Sequence, residues 1–462
     1  MPKRLQTPPP LVVPVRRRTY NIDMRTTLTR LGLAAAALCF VGVAIRLAKV
    51  NQPDACVSVL PAASNLPGNA VYVWQHHWSP AVLAGIEQAS TATDVFMVLG
   101  AELTLNDGRL RSRTPNADWR VFAATIRPVW VVLRIHELPD IRSAEGRTAS
   151  AETLANVTRQ LLDDMSNSRA QPSGVQVDYD CATENLGHYA SLLRLFREQL
   201  PEAAVSITTL PAWFGQPEFA NLLAGVDHYI LQVHSLEKPA RPDDPVALCD
   251  TSRVPGWLEQ AESLGVPFYL ALPTYGYRLS FGADGEFVGL NAEESEESWE
   301  GCTTREVMAD PVAIAGLVRT LKARPPSFML GFAWFRLPVE GDRLNWSWPL
   351  LEKVVAGQAP EPELRAEVRS PSENLYEVWV TNMGMFRPME PIQIPVDWIS
   401  GSGIAHDALS GFQFNTASAE AGNLVGKAPA PGEESLAAWF RMVPADGNQA
   451  MALRVGDVEV LR

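Results

Sequence analysis

GVQVDYDC (174–181) runs within a few residues into LGHYASLLRLFREQL (186–200). The first stretch reads as a short apolar strand, the second as a helix, so the pair reads as one βα unit. The strand ends on two carboxylates, Asp178 and Asp180, two positions apart.

The same rhythm extends in both directions. Upstream, VYVWQHHW (71–78) reads as a strand followed by a helix at 79–90, with Ser79 as N-cap and Pro80 at its first position. DVFMVLGAELT (94–104) is a second strand with a helix at 117–126, and VWVVLRIHE (129–137) a third with a helix at 150–165. Downstream, strands at 204–213, 228–235, 267–277 and 328–338 precede helices near 216–224, 255–264, 310–323 and 348–356. Eight short strands rich in Val, Ile and Leu thus alternate with eight helices, as parallel strands covered by helices require. The count and spacing predict a (β/α)8 TIM barrel over residues 70–357, an α/β fold. A doubly wound sheet fits less well, because no GxGxxG follows the first strand. Past the Pro-rich AGQAPEPE (356–363) the pattern changes to short strand-like segments, predicting a small all-β domain over 364–462.

The N-terminus is of another kind. Residues 1–50 hold a basic region followed by the uncharged run LGLAAAALCFVGVAI (31–45), read as a hydrophobic anchor or signal segment, with a linker at 51–69. Basic charge before the run places everything after it outside the cytoplasm. The expectation is an inner-membrane anchor with the barrel facing the periplasm or exterior; the alternative is secretion after signal cleavage. The net charge of −13 argues against a nucleic-acid partner. Of five Cys, Cys249 and Cys302 sit in separate loops where an exported protein could pair them. No CxxC or Cys/His spacing marks a zinc site, and no cofactor is expected. The acidic run NAEESEESWEG (291–301) reads as a solvated loop.

Active sites of such barrels form at the C-terminal strand ends, and side chains alternate between lumen and helix layer. On the fourth strand this puts Gln176, Asp178 and Asp180 on one face, opposite Val175, Val177 and Tyr179. Two carboxylates at i and i+2 lie roughly 6.5 Å apart, close enough to raise one pKa and hold a proton for acid chemistry. The other strand ends add Trp74, Glu102, Arg134, His136, Trp213, Gln232, His234, Tyr275, Trp334 and Arg336 as candidate ligand-binding residues. Carboxylates beside aromatic platforms suit carbohydrate chemistry: the acids move protons at the glycosidic oxygen and the rings stack on sugar faces.

VYVWQHHW, GVQVDYDCAT, VSITTLPAW, YILQVHSLEKP and LALPTYGYRLSFG resemble an uncharacterised bacterial family, domain of unknown function 3142, over roughly residues 70–340. The resemblance implies a barrel related to glycoside hydrolases. The fourth-strand segment is also similar to the DxxDxDxE signature of chitinase-like (family eighteen) glycoside hydrolases. Asp178 and Asp180 match its second and third acids, while Val175 replaces the first and Ala182 replaces the catalytic Glu. By that similarity Trp334 stands at the floor of a sugar site.

Three readings follow. The first is a glycoside hydrolase-like enzyme acting on an exported or envelope polysaccharide, with Asp178 and Asp180 as acid and base candidates. The second is a non-catalytic carbohydrate-binding or scaffold protein on a degenerate barrel, favoured by Ala182. The third is a metal-dependent hydrolase using His76, His136, His234 and the Asp pair; the absence of HxH and HExxH counts against it, and no metal ligand is assigned.

Overall fold

The computed structural model describes residues 68–235, 238–292, 301–399, 403–418, 420–443 and 452–461. The basic N-terminus, the apolar run 31–45 and most of the acidic run 291–301 lie outside these residues. No helix among the described residues is long and apolar enough to cross a membrane.

Eight parallel strands form the wall: β1 (Gly68–Val73), β2 (Val95–Asn106), β3 (Val129–Ile135), β4 (Pro172–Tyr179), β5 (Val205–Thr209), β6 (His228–Gln232), β7 (Phe268–Pro273) and β8 (Met329–Phe335). Each pairs with its sequence neighbours, and β1 pairs with both β2 and β8, so the sheet closes into a barrel. Seven α-helices cover it: α1 (Pro80–Ala92), α2 (Ala144–Asn167), α3 (Leu186–Glu198), α4 (Pro217–Leu223), α5 (Val254–Leu264), α6 (Pro311–Ala323) and α7 (Trp348–Val355). Their starts are written locally. Ser79 and Ser143 cap α1 and α2 by accepting from Val82 N and Gly146 N, and Asp310 caps α6 by accepting from Val312 N and Ala313 N.

The core has two compartments. Phe96, Leu133, Val177, Ile207, Phe332 and Trp334 fill the space between strands and helices. Ala70, Val95, Val132, Ile230, Ala271 and Ala333 face the lumen with Tyr72 and Met97.

Two crossovers depart from the expected pattern. In place of an α-helix over 117–126, a strand at Arg109–Arg113 runs antiparallel to β2 and a 3-10 helix spans Trp119–Ala124. Trp119 and Phe122, three apart, are both buried, and eclipsed i, i+3 side chains are the geometry of a 3-10 turn. After β7 the chain leaves the barrel as strands Gly276–Phe281, Phe287–Asn291 and Thr303–Met308, a three-stranded antiparallel sheet inserted before α6. The sequence predicts one strand through Tyr277; the chain instead breaks between Pro273 and Gly276.

Beyond α7 the described residues are all strand and turn. Leu364–Ser372, Leu375–Asn382, Glu434–Val443 and Gly403–Ala408 form one sheet; Gln413–Ser418, Ala421–Gly426, Ile392–Ile399 and Ala452–Val455 form a second, joined by Glu459–Val460. Val378, Val380, Ile394, Val396, Leu424 and Phe440 are buried between them. Cys181, Cys249 and Cys302 are free thiols, so the pairing considered for Cys249 and Cys302 is not made.

Candidate active site at the barrel mouth

Strand parity delivers the β3 and β4 side chains to the lumen as expected. Gln176 and Asp178 point inward from β4, in register with Val132 and Arg134 of β3. Arg134 binds both acids: its Nη1 donates to Asp178 Oδ2 at 3.2 Å and its Nη2 to Asp180 Oδ2 at 2.8 Å. The carboxylates differ in setting. Asp178 is 6% exposed and its Oδ1 is enclosed without a hydrogen-bond partner; the Asp180 side chain is 47% exposed at the rim. Burial pushes the Asp178 pKa up, and Asp180 adds to that, while Arg134 pulls in the opposite direction without cancelling it. For Arg134 burial acts downward, but the two carboxylates dominate and hold its pKa above the ordinary value.

Beneath the rim, a space of about 20 Å³ is bounded by Tyr72, Trp74, Asp178, Thr208, Gln232, His234 and Phe335. That is room for one water, far too small for a sugar ring. Asp180 is therefore the more accessible of the two carboxylates, with Asp178 beneath it. Gln176 lies deeper still: it is fully buried, and its Nε2 donates to Tyr72 Oη at 2.7 Å and Thr208 Oγ1 at 2.9 Å. The expected ligand contact of Gln176 is corrected to a structural bond across the lumen floor.

On the adjoining strands, Glu102 sits between two imidazoles. His76 Nε2 lies 2.9 Å from its Oε2, and His136 Nε2 lies 3.2 Å from its Oε1. Burial acts upward on the Glu102 carboxyl, yet the hydrogen bonds and charge of His76 and His136 bring its pKa below the ordinary value. A bulge aims this group. The β2–β3 register shifts at Gly100, between Leu99 and Ala101, and Glu102 then stands opposite Arg134. Continued alternation from Phe96 and Val98, both in the outer core, would have turned Glu102 towards the helices. A side chain at Gly100 would collide with Val131 and Leu161, so only glycine fits. His76, Glu102, His136, Arg134, Asp178 and Asp180 together form a polar arc across the ends of β1 to β4.

Aromatic residues stand opposite. A pocket of about 340 Å³ is lined by Trp74, His76, Tyr275, Tyr277, Leu290, Asn291, Ala292, Phe335 and Arg336. Phe335 centres the wall, with ring centroids 5.0 Å from Trp74, 5.4 Å from Tyr275 and 5.6 Å from His234. Tyr275 Oη lies 3.2 Å from Tyr277 Oη and 3.5 Å from His234 Nδ1. His234 is buried, which depresses its pKa to about 4 and keeps it neutral at physiological pH. Gln232 reaches the same floor and donates to the His234 carbonyl at 3.1 Å. Arg336 is buried, with Nη2 donating to Asp342 Oδ2 at 2.6 Å and to the Ala292 carbonyl at 3.0 Å.

Two aromatic expectations are corrected. Trp334 is fully buried in the helix layer, its Nε1 donating to Asn69 Oδ1 at 3.0 Å; Phe335, one residue on, occupies the lumen. Both faces of a parallel strand are apolar, so polarity does not distinguish them; Gly331 and Ala333 on the face that Phe335 continues were the readable sign. Trp213 belongs to a 3-10 turn (Pro211–Trp213), packed on Tyr189 and Phe219 with Nε1 donating to the Cys181 carbonyl at 3.1 Å. The sequence does not single out Tyr72, Thr208 or Phe335: Tyr72 and Thr208 lie one layer below the strand ends, and Phe335 is an apolar residue between the two candidates Trp334 and Arg336. Among the described residues no group of three or more His, Cys, Asp or Glu is arranged to hold a metal ion. Ala182, at the position of the signature's Glu, is exposed and precedes a 3-10 turn (Thr183–Asn185) in which Glu184 is also exposed.

Residues 125–340 match the family model described as Domain of unknown function (DUF3142). The match takes in Arg134, Asp178, Asp180 and Phe335 and begins after Trp74, His76 and Glu102, whereas the resemblance in the sequence extends over roughly residues 70–340. No curated protein matches. Among solved structures the chain is similar to the spore cortex-lytic enzyme SleL of Bacillus megaterium QM B1551, at TM-score 0.45 and 14% identity, covering 65% of this chain and 76% of that one. It is also similar to a chitinase from Chromobacterium violaceum ATCC 12472 (TM-score 0.43, 13% identity, 63% and 98% covered). A third is the GH18 chitinase from Cycas revoluta in complex with (GlcNAc)3 (TM-score 0.40, 11% identity, 63% and 97% covered).

Proposed function

We propose that the barrel binds a glycan at its mouth and hydrolyses a glycosidic bond there, with Asp180 giving the proton to the leaving oxygen and Asp178 fixing Arg134 beneath it. The carrying observation is the pairing within one mouth of an aromatic wall, Trp74, Phe335, Tyr275 and Tyr277, with a carboxylate arc. Rings bind the apolar faces of a sugar, and carboxyl groups supply the proton transfer that C–O cleavage needs. The basic N-terminus and apolar run 31–45 support an exported, membrane-tethered protein, whose glycan would belong to the envelope or exterior.

The test is a reducing-end assay with the full chain on a panel of chitin, peptidoglycan, xylan, cellulose, pectin and alginate. Turnover by the native chain, reduced on the order of 10²-fold or more in Asp180→Asn with the melting temperature kept, supports the reading. An unchanged rate in the variant removes Asp180 from the chemistry. A second reading, glycan binding without turnover, is favoured by the Arg134 clamp on both acids and by Ala182. It expects retention of the chain on one of these polymers, lost in Phe335→Ala, with no sugar released.

A further inference from the structure

We infer that His76, oriented by Glu102, is the base that takes the proton from the attacking water in the mouth. The inference rests on the hydrolase reading above and supplies the partner that a lone acid lacks.

His76 lines the 340 Å³ pocket beside Trp74, Tyr277 and Phe335. Its Nε2 lies 2.9 Å from Glu102 Oε2. An ionised carboxylate only accepts, so Nε2 carries the hydrogen, which leaves Nδ1 as the ring's acceptor. His136 binds the other Glu102 oxygen and holds the carboxylate plane from its far side. The Glu102 side chain is 16% exposed and that of His76 35%, so the positioning group is sheltered while the proton acceptor meets solvent and ligand. This is the carboxylate–imidazole arrangement that fixes a tautomer and stabilises the imidazolium once it forms.

The charged and titratable neighbours come from every adjoining element: Glu102 from β2, Arg134 and His136 from β3, Tyr275 and Tyr277 after β7, and Arg336 after β8. Asp180, the proposed acid, follows β4, three strands from β1. That is roughly 14 Å around the wall at about 4.8 Å per strand, and the straight line across the mouth is shorter than this arc. A single displacement needs acid and base about 6.5–9.5 Å apart, with water and sugar between them. In that step water's oxygen bonds to the anomeric carbon while His76 Nδ1 takes its proton. The glycosidic C–O bond breaks, and the leaving oxygen takes the Asp180 proton. Asp180 ends as a carboxylate and His76 as an imidazolium beside Glu102. One water is consumed and two hydroxyl-ended glycans are released with the anomeric configuration inverted.

The experiment uses the full chain on the polysaccharide panel, with His76→Gln, Glu102→Gln, Glu102→Asp and native protein side by side. Rate against pH and the anomer first released, by proton NMR, are both recorded. We expect inversion by the native chain. His76→Gln should lower kcat by 10²- to 10⁴-fold with KM within about threefold, and lose the acidic limb of the pH profile. Glu102→Gln, whose amide can turn an N–H towards Nε2 and reverse the tautomer, should lower kcat at least tenfold, with Glu102→Asp recovering part of it. Native turnover with a His76→Gln rate unchanged, or with retained configuration, overturns the His76 role and leaves the hydrolase reading standing. No native turnover on any polymer overturns both.

Discussion

Replacing Arg134 with Met should destabilise the barrel in a way that depends on pH. The guanidinium is the cation shared by Asp178 and Asp180, at 3.2 and 2.8 Å. The Asp178 side chain is 9% exposed, so its loss leaves a buried carboxylate without compensation, which costs about 3–5 kcal/mol. The Asp180 contact, with its acid 47% exposed, adds at most about 1 kcal/mol. At pH 8 we therefore expect a loss of about 3–6 kcal/mol. With an unfolding entropy of about 2.1 cal/mol/K per residue over a barrel of about 290 residues, this is about 5–10 °C in Tm. The sign with pH follows from Asp178. Its pKa is already raised in the folded state, and removing Arg134 raises it further. The folded variant then binds more protons than the unfolded chain, and stability falls as pH rises through the folded pKa. Differential scanning fluorimetry from pH 5 to 8 should show the deficit of Arg134→Met shrinking towards the acid end. The double variant Arg134→Met/Asp178→Leu, apolar at both positions, should recover most of the loss at pH 8. A deficit independent of pH, or no recovery in the double variant, would refute the assignment of Arg134 as the counter-charge of a buried acid.

The remaining outcomes concern the paired aromatics of β8, the buried imidazoles and a buried thiol. Phe335→Ala should weaken retention on a bound polysaccharide by 10-fold or more, as loss of a stacking ring does, whereas Trp334→Ala should cost about 3–5 kcal/mol of stability by urea titration as a core cavity. His228 and His234 are both depressed to about 4 by burial, so each makes the unfolded chain the better proton binder between about pH 6.5 and 4. Native stability should fall across that window as acid is added, with a shallower slope in His234→Phe; equal slopes would contradict a neutral buried imidazole. Burial raises the Cys249 thiol to about 12, so iodoacetamide at pH 8 should label it only after denaturation, and peptide maps should show no Cys249–Cys302 link.

The barrel was legible because its signal repeats. Eight strand and turn signals in sequence leave few closed topologies, and an error in one unit, such as the 3-10 turn at Trp119–Ala124, does not disturb the others. The polar members of the site, Asp178, Asp180, Arg134, Glu102 and His136, were legible because a charged residue ending an apolar strand has few places to go. The aromatic members were harder. Trp334 and Phe335 are equally apolar neighbours, and a bulky ring is welcome on either side of the wall; only the small residues preceding Phe335 on its face mark the lumen. Trp213 follows a strand in sequence but leaves the wall at Leu210, where Pro211 starts a turn. Pairings such as Arg134 with both acids, or Glu102 with two imidazoles, join different strands, and their partners follow from the order in which the sheet closes.

The extra residue in β2 also bears on how this mouth could change over time. Gly100 acts as a phase shift placed between the lower wall and the upper rim. Below it, Phe96 and Val98 stay in the outer core. Above it, every side chain of β2 is turned to the opposite side from where simple alternation would put it. Deleting Gly100 would remove the bulge and leave Glu102 facing the lumen opposite Arg134, because Leu99 and Ala101 already pair with the consecutive residues Val132 and Leu133. A strand of plain alternation one residue shorter can therefore present the same carboxylate at the same place, so barrels with and without the extra residue are free to share this rim.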